Sequence, residues 1–353
     1  MAPNGTLLDT HVINDAPDDQ VGVKLAFDGE HYLATWVDWR TRPTQVYYSL
    51  VGPDGTPLEP EGRRLSPQDS TDMQHGQAAA SNRSGFLVAW LASGNGGYVV
   101  SAARVSSDGE PLDSALIELT PDSVLQWSVT AGSDGDDYLV VWDGDVPNSE
   151  STQVCCCRVS AGGRALDSVP RVLARTRSEI ADPAVAYLDG TYLVAWTDRR
   201  TDGDIYACRV LRDGTVLDSG GFAVCVEPAL QRQPAIAADS EKFVVCWSAL
   251  CDSTFDVYAA SVDLAGHVGI GNVESIRLTR HPTLRAFPNP GRNAVRFERS
   301  GPAPIRIFDR NGSLVRVLAG STWDGRDDDG RPTAAGAYVA VSDCGRCPFV
   351  LVR

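Results

Sequence analysis

Asp198, Asp202 and Asp204 share one short loop, with Gly203 allowing a sharp turn. Hard cations prefer clustered carboxylate oxygens, so calcium is the ion this loop can hold. Asp324, Asp327, Asp328 and Asp329, ahead of Gly330, form a similar run. Against calcium, Asp38 and Arg40 stand beside one tryptophan as Asp198 and Arg200 stand beside another, which suits an ion pair or a turn cap. Both readings stay open. Cys344-Gly-Arg-Cys347 has redox spacing but joins two strand-like stretches, so no helix start lowers a thiol pKa there. A cross-hairpin disulfide between Cys344 and Cys347 is expected instead. Cys157 and Cys208 occupy equivalent positions and read as packed small residues, and Cys155, Cys156, Cys225, Cys246 and Cys251 have no assigned pairing. His11, His31, His75, His267 and His281 are scattered, without metal spacing or a Ser/His/Asp arrangement.

A polar feature recurs. Gln20, Gln74, Gln126, Ile180 and Gln231 each stand sixteen residues before a tryptophan. Either these amides bridge neighbouring elements and satisfy buried backbone groups, or they form a polar ring that orients a ligand such as a glycan.

The elements that carry these residues repeat. An apolar pentad ending in Trp occurs at Tyr32–Trp36, Phe86–Trp90, Tyr138–Trp142, Tyr192–Trp196 and Phe243–Trp247, with Trp spacings of 54, 52, 54 and 51. A turn glycine keeps the same period at Gly5, Gly55, Gly109, Gly163, Gly214 and Gly266. Asp-Gly and Asn-Gly turns between short apolar runs predict hairpins, because type I′ turns need positive φ at both central residues. No stretch keeps a 3.6-residue period. Four short strands in about 50 residues, repeated five times, predict the blades of an all-β propeller, five four-stranded blades, which hides sheet edges by radial closure. Leu8-Asp9 keeps an outer-strand motif that Val268-Gly269 has lost. Residues 5–14 are therefore expected to close the ring by pairing with Phe255–Val262.

The unit Val185–Trp196, Asp198, Arg200, Asp204–Tyr206 and Asp213–Asp218 resembles a repeat of secreted bacterial propellers. That resemblance implies a fold and leaves function open. Among carboxylates, Asp28, Asp134 and Asp239 recur at one hairpin turn, and a repeated position implies a structural duty. A catalytic dyad would break the repeat, and no Asp-box of the sialidase kind is present.

The period stops near His281, which places a propeller at 1–280 and a second domain at 281–353. The charge changes there too: 11 Arg against 7 Asp and Glu after residue 280, and 20 basic against 39 acidic residues before it. Short strands with Asn311-Gly312 and Gly345-Arg346 turns predict a small immunoglobulin-like sandwich, with a core of Val295, Phe297, Ile305, Ile307, Leu314, Val317, Trp323 and Tyr338. Phe287–Pro290, Ile305–Gly312, Leu314–Leu318, Trp323–Asp327 and Gly336–Tyr338, in that order, are similar to the flagellar-hook-capping-like Ig domain and to type IX secretion sorting domains. The resemblance implies export and surface attachment, with secretion and anchoring machinery as partner.

The net charge of −15 excludes a nucleic-acid partner, whose phosphates require clustered Lys and Arg. No apolar run approaches the roughly 20 residues of a membrane helix, and no signal peptide is visible. The reading that follows is a secreted or cell-surface, non-catalytic propeller binding a glycan or a protein, with no cofactor unless calcium. One alternative is a carbohydrate-active enzyme on a five-bladed propeller, marked by a carboxylate pair about 5–10 Å apart at the channel mouth, outside the repeat register. Another is an architectural envelope protein.

Overall fold

A computed structural model describes residues 10–67, 74–94, 97–120, 125–200, 203–227, 229–251 and 254–269, and in the C-terminal part 285–287, 291–292, 294–298, 304–309, 313–342 and 345–352. The chain divides into two compact units, Met1–Ile270 and Gly271–Arg353. The boundary expected at residue 280 lies outside the described residues. No helix occurs among the described residues.

The first unit is a propeller of five four-stranded sheets, each in sequential order. Blade 1 is β1 (Gln20–Phe27), β2 (Tyr32–Asp38), β3 (Gln45–Val51) and β4 (Arg63–Arg64). Blade 2 is β5 (Gln74–Ser81), β6 (Gly85–Gly94), β7 (Gly97–Ser106) and β8 (Ile117–Glu118). Blade 3 is β9 (Gln126–Ser133), β10 (Tyr138–Asp145), β11 (Thr152–Val159) and β12 (Arg171–Thr176). Blade 4 is β13 (Ile180–Leu188), β14 (Thr191–Asp198), β15 (Asp204–Leu211) and β16 (Phe222–Cys225). Blade 5 is β17 (Gln231–Ala238), β18 (Phe243–Cys251), β19 (Thr254–Val262) and β20 (Val268–Gly269).

The Trp pentads lie in the second strands, and alternation along them explains why every position but Thr35 is apolar. Phe86, Val88 and Trp90 pack on Leu33, Val46 and Tyr48 of blade 1. Leu87, Ala89 and Leu91, on the opposite face, pack on Tyr138, Val140 and Trp142 of blade 3. The same arrangement fills the cores between blades 3 and 4 and between blades 4 and 5. A strand covered on both faces has no polar side to show.

The two period markers are physically linked. Arg104, Arg158 and Arg209 pair with Asp113, Asp167 and Asp218 of their own blades at 2.6, 2.9 and 2.8 Å. Each arginine also donates to a carbonyl in the next blade's turn, at Ala161, Arg212 and Leu264. A Cβ on Gly163 would lie 2.6 Å from Arg104, and one on Gly214 would lie 2.7 Å from Arg158. The turn glycine thus meets two needs, a φ near +80° and room for the neighbour's guanidinium. Blade 5 carries Ser261 where Arg209 stands in blade 4.

The expected closure by residues 5–14 is corrected. β19 takes β20 as its outer partner, over Ser261↔Gly269 and Val262↔Val268. Of the segment's described residues, Asn14 donates to the Pro60 carbonyl at 2.7 Å and accepts from Arg40 at 3.1 Å, while Ile13 packs on Trp36 and Tyr47. The segment covers blade 1 because the outer face of Trp36 offers it both an apolar patch and a guanidinium. Residues 5–9 lie outside the described residues.

The second unit is a two-sheet sandwich. One sheet orders β21 (Arg285–Phe287), β23 (Val295–Glu298) and β26 (Thr322–Trp323). The other orders β22 (Gly291–Arg292), β28 (Gly345–Val352), β27 (Gly336–Ser342), β24 (Ile305–Asp309) and β25 (Leu314–Leu318). Its core holds six of the eight expected residues, but Leu314 and Val317 are exposed and Leu318 is buried instead. β25 is an edge strand, and the register shift opposite Ile307–Phe308 changes which of its residues face inward.

Candidate active site

The inner strands β1, β5, β9, β13 and β17 begin with an irregularity. In four blades the pairing shifts after Val21, His75, Ala181 and Arg232, on the inner strand itself. The first bulged residue is left-handed in each case: Gly22 at φ 69°, Gly76 at 61°, Asp182 at 55° and Gln233 at 56°. Glycine adopts this conformation freely, whereas Asp and Gln hold it at a cost. A bulge re-aims side chains, and here it aims them at the axis. A cavity of about 370 Å³ lies there, lined from all five inner strands, with Lys24, Ser128, Thr130, Asp182 and Gln233 as its polar groups.

Blade 3 departs from this pattern. Its register shifts between Asp143 and Gly144, leaving Trp127 without a partner opposite. Trp127 is 55% exposed, with its indole N–H donating to Asp145 Oδ1 at 3.4 Å. It lines a second hollow of about 410 Å³ with Asp143, Asp145, Thr152, Glu179 and Ala181. Ser128 lines the axial cavity, and its hydroxyl donates to Oδ1 of Asp143, a residue that lines the second hollow.

Asp143 is buried, and that burial pushes its carboxyl up to about 7; the Ser128 hydroxyl opposes the shift and the charge of Asp182 adds to it. Asp182 is raised as well, by burial and by Glu179, with Arg232 and Arg199 pulling the other way. Both carboxylates leave the repeat. The residue after each pentad Trp is Val37, Leu91, Asp143, Thr197 and Ser248, and the bulge residue or its equivalent is Gly22, Gly76, Ser128, Asp182 and Gln233. Thr197 Oγ1 accepts the Gln233 N–H at 3.1 Å, so the residue after the Trp faces the next blade's bulge. Asp143 lines the hollow beside Trp127 and Asp182 lines the axial cavity, two carboxyls of raised proton affinity on adjacent blades, a perturbation that acid–base sites commonly show.

The residues singled out from sequence mostly serve the fold. Gln74, Gln126 and Gln231 are buried at the first position of their strands and do not line the axial cavity. Gln74 Oε1 accepts the Trp90 indole N–H at 2.5 Å, and Gln231 donates to the Glu227 carbonyl at 3.1 Å. Gln20 donates to the Pro17 and Asp18 carbonyls within its own turn. The strand's first residue precedes the bulge and faces the blade, which keeps these amides off the axis.

Asp198 is also spoken for. It accepts from the Trp196 indole at 3.2 Å and pairs with Arg200 at 2.5 Å, as Asp38 does with Trp36 and Arg40. Burial raises its carboxyl, but Arg200 and Trp196 outweigh that and hold it below the usual range. Asp204 is buried at the start of β15, and Asp202 lies outside the described residues. Of the three carboxylates expected to hold calcium, Asp198 is engaged in this ion pair, and the expected site as a whole falls partly outside the described residues. No group of His, Cys, Asp and Glu among the described residues is arranged for a metal. In the second unit a hollow of about 620 Å³ includes Asp309 and Asp327, but their carboxylates cap the Ser313 and Arg331 N–H groups.

Asp28, Asp134 and Asp239 each accept two backbone N–H groups of their own turn, the structural duty expected of them. Cys155, Cys156, Cys157 and Cys208 are unpaired thiols packed between blades, and burial pushes Cys155 and Cys208 up to about 12. Cys347 lies opposite Ala340 against the sandwich core, and Cys344 lies outside the described residues, so the expected disulfide is not described.

Asp143, Asp182, Trp127 and Gln233 were not reached from sequence. A blade-by-blade alignment on the Trp would have exposed them as the polar residues that interrupt a repeated column.

No family model matches the chain, and no curated protein matches it. Solved structures similar to it include the endo-arabinase of Bacteroides thetaiotaomicron, at 12% identity over 66% of this chain and 90% of that one, TM-score 0.43. The alpha-L-arabinanase of Cellvibrio cellulosa, complexed with arabinohexaose, is 13% identical over 73% and 98%, TM-score 0.39. The Bombyx mori GH32 beta-fructofuranosidase is 10% identical over 93% and 85%, TM-score 0.43. The expected non-catalytic binding or adhesion propeller is corrected here. The matched structures are glycoside hydrolases, and Asp143 and Asp182 both stand outside the repeat register.

Proposed function

We propose that the propeller hydrolyses glycosidic bonds, with Asp143 as the general acid and Asp182 as its ionised partner. The observation that carries this reading is one out-of-register pair of carboxyls, on adjacent blades, whose proton affinities are both raised. Asp143, protonated up to about pH 7, gives its proton to the departing glycosidic oxygen. The Ser128 hydroxyl on Oδ1 leaves Oδ2 to hold that proton. Asp182, the charged partner, stabilises the positive charge that develops at the anomeric carbon as the bond breaks; a water then adds to that carbon and gives one proton back to Asp143. Trp127 offers an exposed ring face against which a sugar can stack, with Asp145 and Glu179 as acceptors for its hydroxyls. The partner is accordingly a glycan.

The test is release of 4-nitrophenol from a panel of 4-nitrophenyl furanosides and pyranosides, and of reducing ends from plant and microbial polysaccharides. Wild type should act on at least one substrate. Asp143→Asn and Asp182→Asn should each lose about 100-fold or more in kcat with the fold intact. An inert wild type, or variants as active as wild type, would refute the reading.

For the C-terminal sandwich we propose the role of an export and surface-anchoring address. Support comes from the ordered motifs between Phe287 and Tyr338. Surface delivery in a natural host that persists without residues 284–353 would rule it out.

A further inference from the structure

Resting on that reading, we propose that Gln233 is a substrate-positioning residue that hydrogen-bonds a sugar hydroxyl beside the cleaved bond. Three observations converge on it. Gln233 is exposed on the wall of the axial cavity, which it shares with Asp182 of the preceding blade. Its backbone is left-handed at φ 56°, at the bulge position that Gly22 and Gly76 occupy in blades 1 and 2. Its N–H is held by Thr197 Oγ1 at 3.1 Å, the residue equivalent to Asp143 in the neighbouring blade.

The fold alone does not explain a glutamine here. Among the described residues no hydrogen bond of the Gln233 side chain stabilises the blade, and glycine would hold this φ at lower cost. A strained, solvent-facing polar residue in a cavity is kept for what its end group contacts. Blades 3, 4 and 5 thus present Ser128, Asp182 and Gln233 to the cavity, where blades 1 and 2 carry glycines at the equivalent position. An amide donates and accepts at once, which suits a sugar hydroxyl better than a phosphate or a carboxylate. The ligand is a neutral, hydroxyl-bearing sugar ring seated between Asp182 and Gln233.

Removing the side chain should therefore separate function from stability. Gln233→Gly should leave the thermal midpoint unchanged or higher, since it relieves the left-handed strain. On the 4-nitrophenyl glycoside that wild type cleaves best, its kcat/KM should fall by about 3- to 15-fold, mainly through KM. Gln233→Asn, which keeps an amide and tolerates this φ, should recover part of the loss. An active wild type with an unaltered Gln233→Gly, or a Gln233→Gly that is destabilised yet fully active, would overturn this inference and leave the hydrolase reading standing. A wild type inert across the whole panel would overturn both.

Discussion

Asp143 and Asp182 stand on neighbouring blades, and the negative charge of Asp182 raises the proton affinity of Asp143. Neither position carries a carboxylate in any other blade. Their pairing converts a structural repeat into a chemically singular place on the ring.

The pH dependence of activity follows directly. Asp143 must be protonated to act as an acid, so kcat/KM should decline above about pH 7 as its carboxyl ionises. A pH–rate profile checks this. An alkaline limb far above 8, or none, would assign the acid to another group.

Asp143 also sets a pH dependence of stability. Its folded carboxyl titrates near 7 and its ordinary value is 3.8, so folding takes up a proton between those limits. The stability this confers is complete below about 3.8 and lost as pH rises through about 7. At pH 8 the buried charge costs on the order of 4 kcal/mol. Asp143→Asn should then be more stable than wild type at about pH 8, with the difference vanishing by about pH 4. Denaturant titration at both pH values measures it.

The inter-blade arginines should matter more than an ordinary surface pair. Asp167 accepts from both Arg158 and Arg171 and is nearly buried, so Asp167→Ala strands two guanidinium groups at once. A loss of about 2–4 kcal/mol is expected. Burial raises the Asp167 carboxyl, but Arg158 and Arg171 outweigh it and leave it depressed. Its stabilisation is therefore present above the ordinary carboxylate range and lost in acid. Denaturation curves of the Ala variant should show that loss near neutral pH and should lack the acid sensitivity that Asp167 confers.

The glutamines should divide into two classes. Gln74→Ala removes the acceptor of a buried indole N–H and should cost about 1–3 kcal/mol. Gln20→Ala removes hydrogen bonds confined to an exposed turn and should cost less than about 0.5 kcal/mol. Equal thermal shifts would contradict this division.

The propeller was legible in the sequence because its markers are local. The Trp pentads lie in buried second strands, and the turn glycines Gly163, Gly214 and Gly266 face the preceding blade's arginine. The asymmetry of the ring was not legible, since Leu8-Asp9 matches an outer strand by type while Asn14 and Ile13 anchor their segment to blade 1. The active-site candidates were missed for a related reason. Repeats draw attention to what recurs, such as the glutamines, whereas Asp143 and Asp182 matter by failing to recur. Their proximity also depends on packing between blades, which strand patterns alone do not reveal.

The most direct test is the titration of the Asp143 carboxyl itself, followed by carbon-13 NMR of Asp-labelled protein in wild type and in Asp182→Asn. The expected result is a midpoint near 7 in wild type that moves down when Asp182 loses its charge. A wild-type midpoint near 3.8, unmoved in Asp182→Asn, would contradict the acid role of Asp143 and with it the hydrolase reading.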